Sequence, residues 1–75
     1  MPTLRVPRLN FSLPLEEFDE ELGEVEMGEV VRQVREALLQ WLGGMAEVSP
    51  QAFWDGKQWT GSLLYRGDRY EWTVE

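Results

Sequence analysis

The spacing of the apolar residues changes near Gly43-Gly44, which divides a helix-like half of the chain from a strand-like half. Over the residues that lead up to this point, the apolar residues recur at the spacing of one helix face. After it they alternate with other residues, as they do in strands that bury one side. The pattern predicts a helix in the first half that must pack against strands of the second half.

The helix is predicted over about residues 28–42. Its apolar stripe consists of Met27, Val30, Val31, Val34, Ala37, Leu38, Trp41 and Leu42. Polar residues fill the opposite side except at Leu39, which lies near Arg32 and Arg35 and is a candidate apolar contact. Gly43 suits the left-handed residue that ends a helix, so we expect the helix to stop there.

The last third of the chain predicts a meander of antiparallel strands. Two alternating series flank Gly67-Asp68, with Trp59, Gly61, Leu63 and Tyr65 before it and Tyr70, Trp72 and Val74 after it. A two-residue turn with Gly67 first pairs Tyr65 with Tyr70. Leu63 is then expected opposite Trp72, and the apolar residues of both series share the face that the helix covers.

Residues 46–58 leave two alternatives open. A strand of Ala52-Phe53-Trp54 joins the same sheet if Asp55-Gly56 forms a turn. Alternatively, Ser49-Pro50 begins a helical turn that runs through Phe53.

The N-terminal residues predict an edge strand or a bulged strand. Alternation runs through Leu4, Val6, Leu9, Phe11, Leu13 and Leu15, with a slip of parity near Pro7. Because Pro7 has no amide donor, the segment belongs at a sheet edge or at a bulge, with Pro14 near its end.

Residues 15–27 fit two patterns. Leu15, Phe18, Leu22 and Val25 fit one face of a helix, whereas Val25 and Met27 alone fit a short strand. We expect a short acidic helix here.

Together these elements predict a single domain, residues 1–75, of the α+β class: one main amphipathic helix packed on a small antiparallel sheet, formed by the N-terminal strand plus the C-terminal meander. A chain of 75 residues buries a small core. Because it contains no Cys and no His, neither disulfides nor structural zinc can reinforce that core. We therefore expect self-association, with a homodimer as the simplest form.

The side chains that carry most enzyme chemistry are missing from this sequence. Without His or Cys there is no imidazole base and no thiolate nucleophile. Lys57, the sole lysine, falls in or beside a predicted turn. No glycine-rich phosphate loop and no spaced acidic calcium loop is present. We expect no catalytic residue, no cofactor and no metal, and hence a protein that is not an enzyme.

An acidic segment, residues 16–26, is the most unusual feature of the sequence. Its carboxylates are Glu16, Glu17, Asp19, Glu20, Glu21, Glu24 and Glu26. No basic residue lies between Arg8 and Arg32, and the whole chain has a formal charge of −7. The simplest interpretation is a solvated surface that favours the start of the following helix. The leading functional hypothesis is a docking surface for a basic protein, which makes the chain a small interaction module, regulator or inhibitor.

The same charge argues against two other kinds of partner, since it repels nucleic-acid phosphates and anionic membranes. Residues 1–15 contain Arg5, Arg8 and prolines but no uninterrupted apolar run. This predicts neither a signal peptide nor a membrane span and favours the cytoplasm.

Aromatic residues make up 12% of the chain, and most are predicted to belong to the core. Trp54 is the exception and joins Leu39 as a candidate apolar contact. Two alternative functions follow. One is a structural subunit of a homo-oligomer or larger assembly, joined through sheet edges or Leu39. The other is weak binding of single-stranded nucleic acid by exposed aromatics such as Trp54 and Trp59 with Arg66 and Arg69.

Overall fold

In the computed structural model one α-helix packs on a five-stranded antiparallel sheet, which confirms the predicted α+β class. The structure describes residues 2–18, 20–21 and 24–75. In chain order the elements are β1 (Thr3–Val6), a 3₁₀ turn (Pro7–Leu9), β2 (Phe11–Pro14), β3 (Glu20–Glu21), β4 (Glu24–Val25), α1 (Met27–Leu42), β5 (Ala46–Trp54), β6 (Trp59–Tyr65) and β7 (Asp68–Val74).

The sheet has the strand order β2-β1-β7-β6-β5, and each strand is antiparallel to its neighbours. β7 is therefore the middle strand, between the N-terminal strands and the rest of the meander. Thr3 and Glu75 fasten this junction, because each donates its backbone N–H to the other's carbonyl, at 3.0 and 3.2 Å.

The N-terminal segment is a hairpin of two strands where the sequence predicted a single edge or bulged strand. Val6 lies opposite Phe11 across β1 and β2. The break in apolar alternation at Pro7 corresponds to the turn between β1 and β2. In this turn Asn10 has a φ of 53° and donates its N–H to the Pro7 carbonyl at 3.1 Å. Proline fits the first position of a helical turn and asparagine tolerates the left-handed region, so these residues reverse the chain.

The short acidic helix is a wrong prediction for the described part of residues 15–27. β3 and β4 pair as antiparallel strands instead, with Glu21 opposite Glu24. Leu22, part of the expected apolar face, lies outside the described residues. A helix would place Glu16, Glu20 and Glu24 four positions apart on one face, where like charges repel. A helix this short also needs strong packing to form in water, which the repulsion opposes.

The long helix is confirmed at both ends. Its last residue is Leu42, and Gly43 follows in the left-handed region with a φ of 70°. The Leu39 carbonyl accepts the Gly44 N–H at 3.1 Å, which closes the helix. Trp41 departs from the expected burial because it is 50% exposed, with its ring centroid 4.1 Å from that of Phe11.

The core lies between α1 and one face of the sheet. Its largest fully buried side chains are Trp72, Leu4, Leu38, Leu63, Val6, Val30, Val34 and Val74. They come from the helix stripe and from β1, β6 and β7, so the helix covers the central strands as the alternation predicted.

The β6–β7 hairpin turns one residue earlier than predicted, at Arg66-Gly67. Both residues have positive φ, 53° and 82°, as a type I′ turn requires. Tyr65 therefore pairs with Asp68, and the predicted pairing of Tyr65 with Tyr70 is wrong by two positions. A shift of two keeps every side chain on its predicted face, because strand side chains alternate.

The corrected register places Trp72 opposite Gly61. A Cβ built on Gly61 would overlap Cζ2 and Cε2 of the Trp72 indole and lie 2.8 Å from its Nε1. The indole therefore occupies the space that any other residue at position 61 would fill. Its Nε1–H is buried and has no hydrogen-bond partner among the described residues, so shape and not polar contact determines this pairing.

β5 is one edge of the sheet and is irregular. The Ala52-Phe53-Trp54 segment joins the sheet as predicted, so the alternative helical turn through Phe53 is wrong. Val48 pairs with Leu63 and Ala52 with Gly61, which leaves two more residues in β5 than in β6 between these pairs. Pro50, which has no amide donor, lies in this bulge.

We predict that Gly61→Ala destabilises the protein strongly. The new methyl group would collide with the buried Trp72 ring, and overpacking of this kind costs about 1–3 kcal/mol. Urea unfolding monitored by tryptophan fluorescence measures the loss. Gly28→Ala is the matched control, because its Cβ meets nothing within 4 Å and alanine favours the helix by up to about 1 kcal/mol. Equal stability of the two variants would contradict the packing described.

Candidate docking surfaces

The acidic segment connects the edge strand β2 to the start of α1. Glu16 and Glu17 follow β2 and Glu26 precedes α1, and all three side chains are exposed. Glu20, Glu21 and Glu24 belong to the small β3–β4 ladder. Asp19 lies outside the described residues. The structure thus brings the described members into one short connection that is not part of the five-stranded sheet.

The segment is held to the core where it leaves the sheet. Leu15 is buried, and its N–H donates to the Pro2 carbonyl at 2.8 Å. Phe18 is half-buried against the core. Leu15 and Phe18 both precede the β3–β4 ladder. Their contacts therefore attach the start of the acidic segment to the core.

Two glutamates face each other in the ladder. Glu21 and Glu24 are direct cross-strand partners, and Glu20 is paired with Val25. Like charges placed opposite each other weaken a strand pair. The backbone register thus pairs two acidic residues of the segment with each other.

The first basic residue after the segment is engaged within the helix. Arg32 donates to Glu29 at 2.6 and 3.2 Å and to Glu36 at 3.2 Å. The Arg32 guanidinium lowers the pKa of Glu29, and a hydrogen bond from Gln33 adds to the effect. In return the Glu29 carboxylate raises the pKa of Arg32.

The two candidate apolar contacts differ in exposure. Leu39 is half-buried on α1, whereas Trp54 is 55% exposed at the end of β5. Trp54 pairs with Trp59 across the hairpin, and their ring centroids are 5.7 Å apart. Trp54 is therefore the more accessible of the two.

A hydrogen-bonded turn supports this tryptophan pair. Asp55 accepts the backbone N–H groups of Lys57 and Gln58 through Oδ1, both at 2.9 Å. These two bonds lower the pKa of the Asp55 carboxyl. The turn thereby fixes the chain at the point where Trp54 and Trp59 meet.

A third surface, which was not predicted from the sequence, is the side of the sheet that faces away from α1, named here the open sheet face. Register and alternation place on it Arg5, Glu47, Phe53, Thr60, Ser62, Leu64, Arg69, Glu71 and Thr73. Phe53 and Leu64 are its exposed apolar residues, at 65% and 47%. In the sequence, Phe53 and Leu64 alternate with the buried residues of β5 and β6. This alternation could have identified them as residues of the opposite face.

Two shallow depressions lie on the open sheet face. Their volumes are about 350 and 450 Å³. Leu64 borders the first and Phe53 the second, and both depressions are lined by Ser49, Ser62 and Arg69. The bulge in β5 contributes Ser49 to both, so the irregular edge strand shapes this surface.

Within the described residues no group of three or more carboxylates is arranged to hold a metal ion. Among the same residues, no helix is long and apolar enough to cross a membrane. No protein family model, curated protein or solved structure matches this chain. The functional interpretation therefore rests on its own residues.

We predict that Asp55→Asn destabilises the protein at neutral pH and that the difference disappears in acid. The folded-state pKa of Asp55 is lowered, so its charge stabilises the fold above the ordinary pKa of an aspartate. That contribution is lost as the pH falls below about 4, the ordinary pKa of an aspartate, and through the lower folded-state pKa. Thermal unfolding of both proteins across this range measures it. A difference in Tm that is constant with pH would contradict the assignment.

Proposed function

We propose that the chain is a small, non-catalytic interaction module of the cytoplasm that docks a basic surface of a larger protein through its acidic segment. The pairing of Glu21 with Glu24 carries the proposal. Like charges at paired positions disfavour a strand pair in general, and Lys or Arg of a basic partner would offset this by binding the carboxylates.

Charge distribution supports the same proposal. Glu16 and Glu26 are exposed on either side of the ladder, and Arg32, the next basic residue in the sequence, pairs with Glu29 and Glu36 of its own helix. A concentrated negative surface on a chain of net charge −7 speeds encounter with a basic protein and selects against acidic competitors.

The absence of catalysis in this proposal follows from composition. The chain has no His and no Cys, so it lacks the common general base and the common thiol nucleophile. Its carboxylates are abundant, but an acid–base pair needs two unlike environments within one pocket. The ladder glutamates are neighbours on one short connection.

A binding experiment tests the charge requirement. The protein is immobilised and incubated with nuclease-treated lysate, and each captured protein is then purified and titrated by calorimetry. We expect a basic partner whose Kd rises at least about tenfold with Glu20→Gln, Glu21→Gln and Glu24→Gln together, and whose affinity falls steeply with salt.

The control variant carries Glu36→Gln, Asp68→Asn and Glu75→Gln. It changes the net charge by the same amount at exposed positions outside the acidic segment. Its Kd should stay within about twofold of the unmodified protein. If both variants weaken binding equally, net charge alone explains the loss of affinity. If neither variant changes the Kd, the acidic segment is not the docking site.

Stability provides a second test. Glu21→Gln removes one member of the facing pair, so we expect a higher Tm at low ionic strength, equivalent to about 0.2–1 kcal/mol. The gain should shrink in about 0.5 M salt, which screens exposed charges. A Tm that falls or does not change in low salt would show that the facing glutamates carry no repulsion.

A further inference from the structure

The open sheet face is a second surface, separate from the acidic segment. α1 covers one side of the sheet, and Phe53 and Leu64 lie on the other side with more than 45% of their surface exposed. They lie beside two shallow depressions that share Ser49, Ser62 and Arg69. Exposed apolar side chains next to concave, polar-lined surface are typical of a protein contact.

The charges on this face indicate which protein fits it. Its strands carry two arginines, Arg5 and Arg69, and two glutamates, Glu47 and Glu71. The charges of these four strand residues balance, although the chain carries −7. Two copies of the chain repel as whole molecules, but here the arginines of one copy can face the glutamates of the other. In a two-fold symmetric dimer each such arginine–glutamate contact occurs twice.

The sheet edges are poorly suited to join copies by strand addition. β2 has four residues and ends at Pro14, and β5 is interrupted by the bulge that contains Pro50. Proline, bulges and short edge strands are devices that block edge-to-edge pairing. Of the two contacts expected from the sequence, sheet edges and Leu39, the first is disfavoured by this geometry and the second is half-buried.

The size of the open sheet face is sufficient for a weak dimer. Strands about 4.8 Å apart with a rise of about 3.3 Å per residue give the four strands from β1 to β5 a face of roughly 19 by 23 Å. Pairing two such faces buries about 900 Å² in total, within the range of weak, transient interfaces, which bury less than about 1,200 Å². A face of this size predicts association that depends on concentration.

From these observations we propose that two copies of the chain form a two-fold symmetric dimer, with the open sheet faces packed against each other. Phe53 and Leu64 of each copy fill the depressions of the other, and Arg–Glu pairs across the interface set the register. The acidic segments lie outside this interface and stay accessible in both copies.

Sedimentation velocity from about 5 to 500 µM tests the dimer. We expect the unmodified protein to change from monomer to dimer within this range. Phe53→Ser with Leu64→Ser should raise the dimer Kd at least about tenfold. Met27→Ser with Met45→Ser is the matched control, since both methionines are exposed and lie outside the open sheet face. A monomer at every concentration, or equal effects of the two double variants, would overturn the proposal.

A charge exchange identifies the partner as a second copy. One variant carries Arg5→Glu and Arg69→Glu, and the other carries Glu47→Arg and Glu71→Arg. Each should be monomeric alone because its face repels itself, and an equimolar mixture should form heterodimers. Circular dichroism first verifies that both are folded. Failure of the mixture to associate, or dimers of either variant alone, would overturn the proposed interface.

The acidic-segment variant keeps this proposal separate from the docking function. Glu20→Gln, Glu21→Gln and Glu24→Gln lie outside the open sheet face, so they should leave the dimer Kd unchanged within about twofold. Loss of the dimer in this variant would overturn the face-to-face arrangement and place the acidic segment in the self-contact.

Discussion

The contact between Trp72 and Gly61 fixes the arrangement of this sheet. The indole fills the space that a side chain at position 61 would occupy, so β6 and β7 fit together in one register. That register decides which residues of each strand face α1, because strand side chains alternate. Trp72 is fully buried although its N–H lacks a partner among the described residues, and its ring area outweighs that loss. The core and the open sheet face are two results of the same pairing.

Much of this fold could be read from hydrophobic spacing. The helix, its end at Gly43 and the meander follow from periodicity and turn chemistry, which act over a few neighbouring residues. The exact position of the last turn could not be read in this way. Gly67 fits more than one hairpin turn, and the observed turn is the one that sets Trp72 against Gly61, a contact between positions far apart in the sequence. The N-terminal hairpin shows the same limit, since a slip of parity at Pro7 indicates a bulge as readily as a turn.

The candidate surfaces were predictable to different degrees. The acidic segment is visible as a run of like charge. Its apolar positions alone fit a helix, whereas repulsion between the glutamates around them opposes one. The open sheet face needs strand pairing to be seen: Phe53 and Leu64 look like two more apolar residues until the register places them on the side away from the helix. The charges also differ between these two surfaces. The arginines and glutamates of the sheet balance, whereas the excess of carboxylates lies in the connection to α1.

The middle position of β7 has a consequence for the order in which the chain folds during synthesis. β7 is synthesised after the other strands of this sheet, yet β1 and β6 both pair with it. Until it emerges, the N-terminal hairpin and the β5–β6 hairpin have no hydrogen-bonded connection, and Leu4 and Val6 lack the strand that completes their surroundings. Contacts between such distant residues are slow to form. Until β7 is made, the nascent chain therefore exposes apolar strand faces, and the carboxylates between those strands oppose its aggregation.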